Sequence, residues 1–286
     1  MIENDVWPII RTFEWREHYV NERIGQVIEL VDKLTEQWVK NIQLLVPDEK
    51  DTVDMDERLR TSPLWSHPAI SRIARVSWNQ FTDVLNDWIA YNIENDIWNT
   101  MIISPEASSY VSPEAFSAIN EALSKDKVFA AWVVIDNPKF WWALADSIRD
   151  GFLTNTFSVW KNELLWNTLF WEEWRKWVEE VWPLVAWIES WWLLAPIDMA
   201  DGDWCNEVWW TREHQNKKFT SKRVRQVNAY LTYLKLLWRV DEKTYNSLVI
   251  DINNEEWVAE NQELREVYQQ ELVDMMQNWI HPDYKK

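Results

Sequence analysis

The chain has 286 residues, of which 47% are hydrophobic and 27% are charged, the balance expected of one large globular domain or two small ones. Its formal net charge of −18 argues against a nucleic-acid binder, because the phosphate backbone would be repelled. The single cysteine, Cys205, excludes an intramolecular disulfide and a cysteine-based zinc site, and it fits a reducing compartment. The sequence predicts neither a signal peptide nor an integral membrane span, so we expect a cytoplasmic protein.

Glycine and tryptophan occur in abnormal proportions. The chain has 3 glycines and 25 tryptophans, whereas average usage predicts about 20 glycines for this length. One hypothesis is that many tryptophans stand for glycine, because UGA codons that the source organism reads as glycine were written as tryptophan. The alternative is a truly tryptophan-rich protein that binds a carbohydrate or a partner through aromatic side chains. Trp171, Trp174 and Trp177 favour this alternative, since they recur at helical spacing.

Two tryptophans lie where the sequence predicts the end of a helix. Trp38 separates a helical pattern from the apolar segment 42–46, and Trp238 separates two helical patterns. The residue that follows a helix commonly adopts a left-handed conformation and is usually glycine, since a Cβ atom is disfavoured there. The glycine hypothesis therefore predicts a left-handed backbone at these positions.

Apolar periodicity along the chain predicts alternating strands and helices. Strands are predicted at 8–13, 42–46, 73–76, 100–103 and 128–135. Helices are predicted at 19–37 and 81–90, after Ser112 as a cap with Pro113 in the first turn, beyond residue 220 with Ser221 as a cap, and at 242–250 and 255–278. This alternation predicts an α/β fold with a mostly parallel, doubly wound, Rossmann-like sheet. We expect one α/β domain over residues 1–215 and a helical extension over 216–286.

No phosphate loop, nucleophile elbow, zinc-binding helix or dinucleotide fingerprint is present in the sequence. Ligands of open parallel sheets bind beyond the carboxyl ends of the strands. This rule gathers one set of polar residues: Arg11, Thr12, Asp48, Glu49, Ser104 and Glu106. A basic cluster is either a solvated helix start or a phosphate-binding surface: Lys217, Lys218, Lys222, Arg223 and Arg225.

Several segments resemble the family 2 (GT-A type) glycosyltransferases. The segments are Ile9-Ile10-Arg11-Thr12-Phe13, the strand 42–46 followed by acidic residues, and Val84-Leu85-Asn86-Asp87-Trp88. In the third segment, Asn86 matches the asparagine of the family's A-x-N-x-G helix, and Trp88 matches its glycine if the glycine hypothesis holds. Glu179-Glu180-Val181-Trp182-Pro183-Leu184 and Trp187-Ile188-Glu189-Ser190 are similar to later motifs, so the resemblance covers residues 8–190.

The resemblance implies a GT-A fold and transfer of a sugar from a nucleotide-sugar donor to a hydroxyl of a sugar, lipid or protein acceptor. It implies that Thr12, Glu14 and Asp48 hold the base and ribose. Other residues implied at the donor site are Arg11, Asn86, Ser104 and Glu106. Glu189 would deprotonate the acceptor, a task for which the family uses an aspartate at the position of Ser190.

The chain departs from the family after the strand at 100–103. Members of the family usually carry an Asp-x-Asp pair there, which holds a divalent metal such as Mg²⁺ or Mn²⁺ against the diphosphate. Here the strand is followed by Ser104-Pro105-Glu106, with one carboxylate instead of two. Asp201-Gly202-Asp203 has the spacing of the pair, but it lies far downstream and is typical of a turn. Metal dependence is therefore left open, and a non-catalytic nucleotide-sugar or carbohydrate-binding scaffold of the same fold is the alternative function.

Overall fold

The computed structural model describes residues 6–11, 20–47, 58–76, 81–134, 157–163, 165, 193–199, 212–252 and 257–284. The strands of this part are β1 (Val6–Arg11), β2 (Ile42–Pro47), β3 (Ile70–Val76), β4 (Asn99–Ile103), β5 (Val128–Val134), β6 (Phe157–Lys161) and β7 (Leu193–Asp198). The α-helices are α1 (Val20–Glu36), α2 (Phe81–Glu94), α3 (Pro113–Ser124), α4 (Arg212–Leu236), α5 (Glu242–Leu248) and α6 (Gln262–Trp279).

The described strands form one seven-stranded sheet in the order β3-β2-β1-β4-β6-β5-β7. Neighbouring strands are parallel except where β6 pairs with β4 and β5. The predicted α/β class with a mostly parallel sheet is confirmed. The sequence patterns did not predict β6 and β7, which lie in and after the tryptophan-dense middle of the chain.

Side chains alternate between the two faces of the sheet, as the pleat of a strand requires. On the first face, Ile10 and Leu44 pack with the apolar stripes of α1 and α3. On the second face, Ile9 and Leu45 pack with α2 and the C-terminal helices. Each face thus has its own hydrophobic core.

Helix α4 is the central element of the second face. All nine residues from 226 to 234 are buried, including the polar side chains of Gln226, Asn228 and Thr232. A helix that is buried on every side must contact neighbours all round. Here the neighbours are the sheet, α5 and α6.

Two predicted helix starts are wrong. Ser221 does not cap a helix, because α4 begins at Arg212 and Ser221 lies inside it. The predicted helix 255–278 begins instead at Gln262, where the Asn261 side chain accepts a hydrogen bond from the Leu264 backbone N–H at 3.2 Å. The first turns of both helices consist mainly of polar residues, so apolar periodicity does not predict where either helix begins.

The helices of the described residues include none with the length and apolarity needed to cross a membrane.

Candidate functional site

The carboxyl end of the sheet is where β1 and β4 finish side by side. Ile10 of β1 pairs with Ile103 of β4, so Arg11 and Ser104 follow one residue later on neighbouring parallel strands. Neighbouring strands are about 5 Å apart. The backbones of two residues predicted for the donor site are thereby neighbours. The Arg11 side chain is not among those that the structure describes.

The segment after β4 turns at once into a short 3-10 helix, Pro105–Tyr110. Ser104 is 9% exposed, and its carbonyl accepts a hydrogen bond from the Ala107 N–H at 2.9 Å. Pro105 fixes the start of this turn by its restricted φ angle. Ser104-Pro105-Glu106 therefore stands at the carboxyl end of the sheet, at the position where the glycosyltransferase resemblance places an Asp-x-Asp pair. The Glu106 side chain is not among those described.

Helix α1 holds this 3-10 helix in place. The Lys33 Nζ donates to the Ser108 carbonyl at 3.0 Å and pairs with Glu29 at 2.9 Å. The Ser108 hydroxyl in turn donates to the Glu29 carboxylate at 3.4 Å. Ala107 and Tyr110 bury their side chains in the same contact. The sequence shows the i, i+4 spacing of Glu29 and Lys33, which is typical of a helix-surface pair, but it does not show that Lys33 reaches Ser108.

Asn86 lies in the second turn of α2, which follows the carboxyl end of β3. Its side chain is half-buried, while the neighbouring Leu85 is fully buried against the second face of the sheet. Trp88 is also buried there, and the Arg72 guanidinium lies 5.4 Å from the centre of its ring. The indole of Trp88 therefore contributes to the core at the position that the A-x-N-x-G pattern assigns to glycine.

The remaining predicted site residues fall outside the described part of the chain: Thr12, Glu14, Asp48, Glu49, Glu189 and Asp201-Gly202-Asp203. The basic cluster lies within α4, where Arg225 is the one member whose side chain is described, and it is half-buried. In the described residues there is no group of three or more His, Cys, Asp or Glu side chains that could hold a metal.

The opposite, amino end of the sheet contains a buried chain of polar side chains. Gln43 donates to Asn92 at 2.7 Å, Asn92 donates to Thr100 at 3.0 Å, and Thr100 donates to Asn162 at 2.6 Å. Asn162 also donates to the Ile97 carbonyl at 2.7 Å. These bonds link β2, α2, β4 and the end of β6. Their role is structural, because they lie away from the strand ends at which ligands of such sheets bind.

No protein-family model matches the chain, and no curated protein is similar to it in sequence. A crystal structure of a mycobacterial protein is similar with a TM-score of 0.51 and 12% identity, covering 83% of this chain and 76% of that chain. The UDP complex of glucosyl-3-phosphoglycerate synthase from Mycobacterium tuberculosis is similar with a TM-score of 0.48 and 12% identity. The match covers 83% of this chain and 81% of that chain. A cytidylyltransferase from Leptospira borgpetersenii is similar with a TM-score of 0.44 and 9% identity. The match covers 69% of this chain and 76% of that chain. At these identities the first similarity shows a shared fold and no more.

Proposed function

We propose that the chain is a glycosyltransferase-like protein of the GT-A type, which binds a nucleotide-sugar donor at the carboxyl end of β1 and β4. The observation that carries the proposal is the pairing of Ile10 with Ile103, since it sets Arg11 beside Ser104 at the end of the sheet. A guanidinium group is suited to a diphosphate, because it donates charge-assisted hydrogen bonds in a planar fork. The contact of Lys33 with Ser108 supports the proposal by holding the segment after Ser104 against α1.

In this proposal Thr12, Glu14 and Asp48 hold the base and ribose of the donor. Asn86, Ser104 and Glu106 complete the donor site together with Arg11. Their number and type suit a ligand with many hydroxyl groups.

Glu189 is the proposed general base for sugar transfer. As the acceptor oxygen bonds to the anomeric carbon of the sugar, its proton passes to the Glu189 carboxylate and the nucleoside diphosphate leaves with the electron pair of the broken bond. A sugar, lipid or protein could supply the acceptor hydroxyl.

A divalent cation has few candidate ligands in the segment after β4. Hard cations such as Mg²⁺ and Mn²⁺ take several oxygen ligands. This segment offers the Ser104 hydroxyl and the Glu106 carboxylate, together with the phosphates of the donor itself. An ion bound there would supply charge neutralisation at the leaving diphosphate.

Calorimetric titration of the chain with UDP-sugars and GDP-sugars, with and without Mn²⁺, tests donor binding. We expect at least one donor to release heat and Arg11→Ala to weaken its affinity about tenfold or more, because a hydrogen bond to a charged group is lost. The matched control is Arg239→Ala, which removes an exposed arginine that pairs with Glu271 at 3.1 Å. The absence of heat with every donor, or equal losses in both variants, would overturn the proposal.

The alternative is a scaffold that binds the donor without turnover, and the substitution of Ser104 for the first aspartate of the pair favours it. Radiolabelled transfer to an acceptor panel separates the two functions. The enzyme predicts that Glu189→Gln lowers the transfer rate by about 100-fold or more with donor affinity unchanged. The scaffold predicts binding without transfer in either form.

A further inference from the structure

Helix α1 ends in the hydrogen-bond pattern known as the Schellman motif. The Trp38 N–H donates to the Thr35 carbonyl at 2.9 Å, and the Val39 N–H donates to the Leu34 carbonyl at 3.1 Å. Leu34 and Val39 are both buried, which is the apolar contact that accompanies this motif. Trp38 therefore occupies the C′ position, the first residue beyond the helix cap.

Helix α4 ends in the same way. The Trp238 N–H donates to the Lys235 carbonyl at 3.0 Å, and the Arg239 N–H donates to the Leu234 carbonyl at 2.9 Å. Trp238 is therefore also a C′ residue.

Helix α2 supplies a third example with a different residue at C′. The Asp96 N–H donates to the Ile93 carbonyl and the Ile97 N–H to the Asn92 carbonyl, each at 3.0 Å. One backbone motif thus ends three helices of the described chain, with tryptophan, aspartate and tryptophan at the equivalent position.

The motif requires a left-handed backbone at C′, and all three residues have one. The φ angles are 63° at Trp38, 58° at Asp96 and 59° at Trp238. Glycine adopts this conformation without a steric penalty, and aspartate tolerates it better than most residues. A bulky side chain at such a φ angle is an outlier.

Burial of the indole rings does not offset this strain. Trp38 is 71% exposed and Trp238 is 94% exposed. By contrast Gly25, the one glycine within the described residues, lies inside α1, and a Cβ atom built there would meet nothing within 4 Å. Tryptophan therefore occupies two helix ends that favour glycine, while Gly25 occupies a position that does not need glycine.

We infer that residues 38 and 238 are glycine in the protein as its native host makes it. Each would be encoded by a UGA codon that the host reads as glycine, and the 3 glycines and 25 tryptophans of the sequence are an imbalance in the direction that such reading produces. The inference is independent of the proposed function. It does not extend to Trp88, Trp132 and Trp160, whose rings are buried in the core of the second face.

Mass spectrometry of the protein purified from its native host tests the inference directly. Trypsin releases a peptide of residues 34–40, which contains position 38, and a peptide of residues 236–239, which contains position 238. Fragment spectra are expected to show glycine at both positions. Tryptophan at either one would overturn the inference for that position.

A thermal-unfolding comparison of the recombinant chain tests the physical basis. Trp38→Gly and Trp238→Gly are each expected to raise the melting temperature by about 2–4 °C through relief of backbone strain. Asp96→Gly, in the same motif, should give a smaller rise. Trp98→Gly is the matched control, because Trp98 is 63% exposed and is not among the residues with positive φ. If the first two variants melt no higher than the Trp98→Gly control, strain at C′ is refuted.

Discussion

The two faces of the sheet are held by different kinds of interaction. On the first face, the apolar stripes of α1 and α3 pack onto side chains such as Ile10 and Leu44. On the second face, apolar packing is joined by a buried guanidinium, that of Arg265, and by the buried amide of Asn228. Hydrophobic burial has no preferred direction, whereas hydrogen bonds do. The C-terminal helices are therefore positioned by hydrogen bonds from a fully enclosed charged group, whereas on the first face the charged side chain that bonds another element, Lys33 to Ser108, is only half-buried.

Arg265 connects three helices of the second face. Its Nη1 donates to the Asn228 side-chain oxygen at 2.9 Å and to the Leu248 carbonyl at 2.7 Å, and its Nη2 donates to the Val224 carbonyl at 2.9 Å. Asn228 also donates to the Ile250 carbonyl at 2.8 Å. Burial lowers the pKa of Arg265 to about 10, so the group is still charged at neutral pH.

The largest expected effect follows from removal of this guanidinium. Arg265→Ala should lower the free energy of unfolding by about 3–5 kcal/mol, because it removes three hydrogen bonds that a buried guanidinium donates and creates a cavity. Urea denaturation followed by circular dichroism measures the change. The control is the exposed Arg239→Ala, for which we expect at most about 1 kcal/mol. Similar small losses for both variants would show that Arg265 does not hold the C-terminal helices.

An apolar truncation on the first face should have a somewhat smaller effect. Leu30→Ala, at a fully buried position of α1, is expected to cost about 3 kcal/mol in the same urea experiment. The exposed Glu36→Ala, on the same helix, should change the free energy of unfolding by less than about 0.5 kcal/mol. If Leu30→Ala exceeded Arg265→Ala, the contrast between the two faces would be wrong.

The smallest effect concerns the segment after α6, which covers the outer side of β7. Ile280 pairs with Leu194 of β7, and the Lys125 ammonium donates to Asp283 at 2.8 Å. This hydrogen bond lowers the pKa of Asp283.

A carboxyl group whose pKa is lower in the folded state than in the unfolded state stabilises the fold at pH values above its unfolded-state pKa, which is about 4. This stabilisation is lost as the pH falls through the pKa of the folded state. Asp283→Asn should therefore melt slightly below the wild type at pH 7, with the difference vanishing at low pH. Differential scanning calorimetry from pH 7 to pH 2 would detect this, and a difference that grows on acidification would contradict it.

Sequence patterns predicted those features that depend on a few neighbouring residues. Ser112 was expected to cap a helix, and its hydroxyl accepts from the Ala115 N–H at 3.2 Å. Strand β2 was predicted at 42–46 and spans Ile42–Pro47. The start of α4 was missed, because its first nine residues contain few apolar side chains.

The candidate site was predictable only in part. The rule for parallel sheets places Arg11 and Ser104 at strand ends, and the pairing of β1 with β4 makes those ends adjacent. The support of the Ser108 segment by Lys33 joins residues 75 positions apart, which no local pattern predicts. The roles of Thr12, Glu14, Asp48 and Glu189 stay predictions.

By itself, the sequence determined the α/β class, most strand and helix cores, and the imbalance between glycine and tryptophan. Periodicity is a property of neighbouring residues and composition is a property of the whole chain, so neither depends on which distant segments come into contact. The tertiary structure decided the strand order, the antiparallel insertion of β6 and the packing of α4 against both sheet and helices. It also decided which tryptophans lie in the core, and that Trp38 and Trp238 each follow a helix with a left-handed backbone. The reason is that burial and the closing hydrogen bonds of a helix are set by the folded chain.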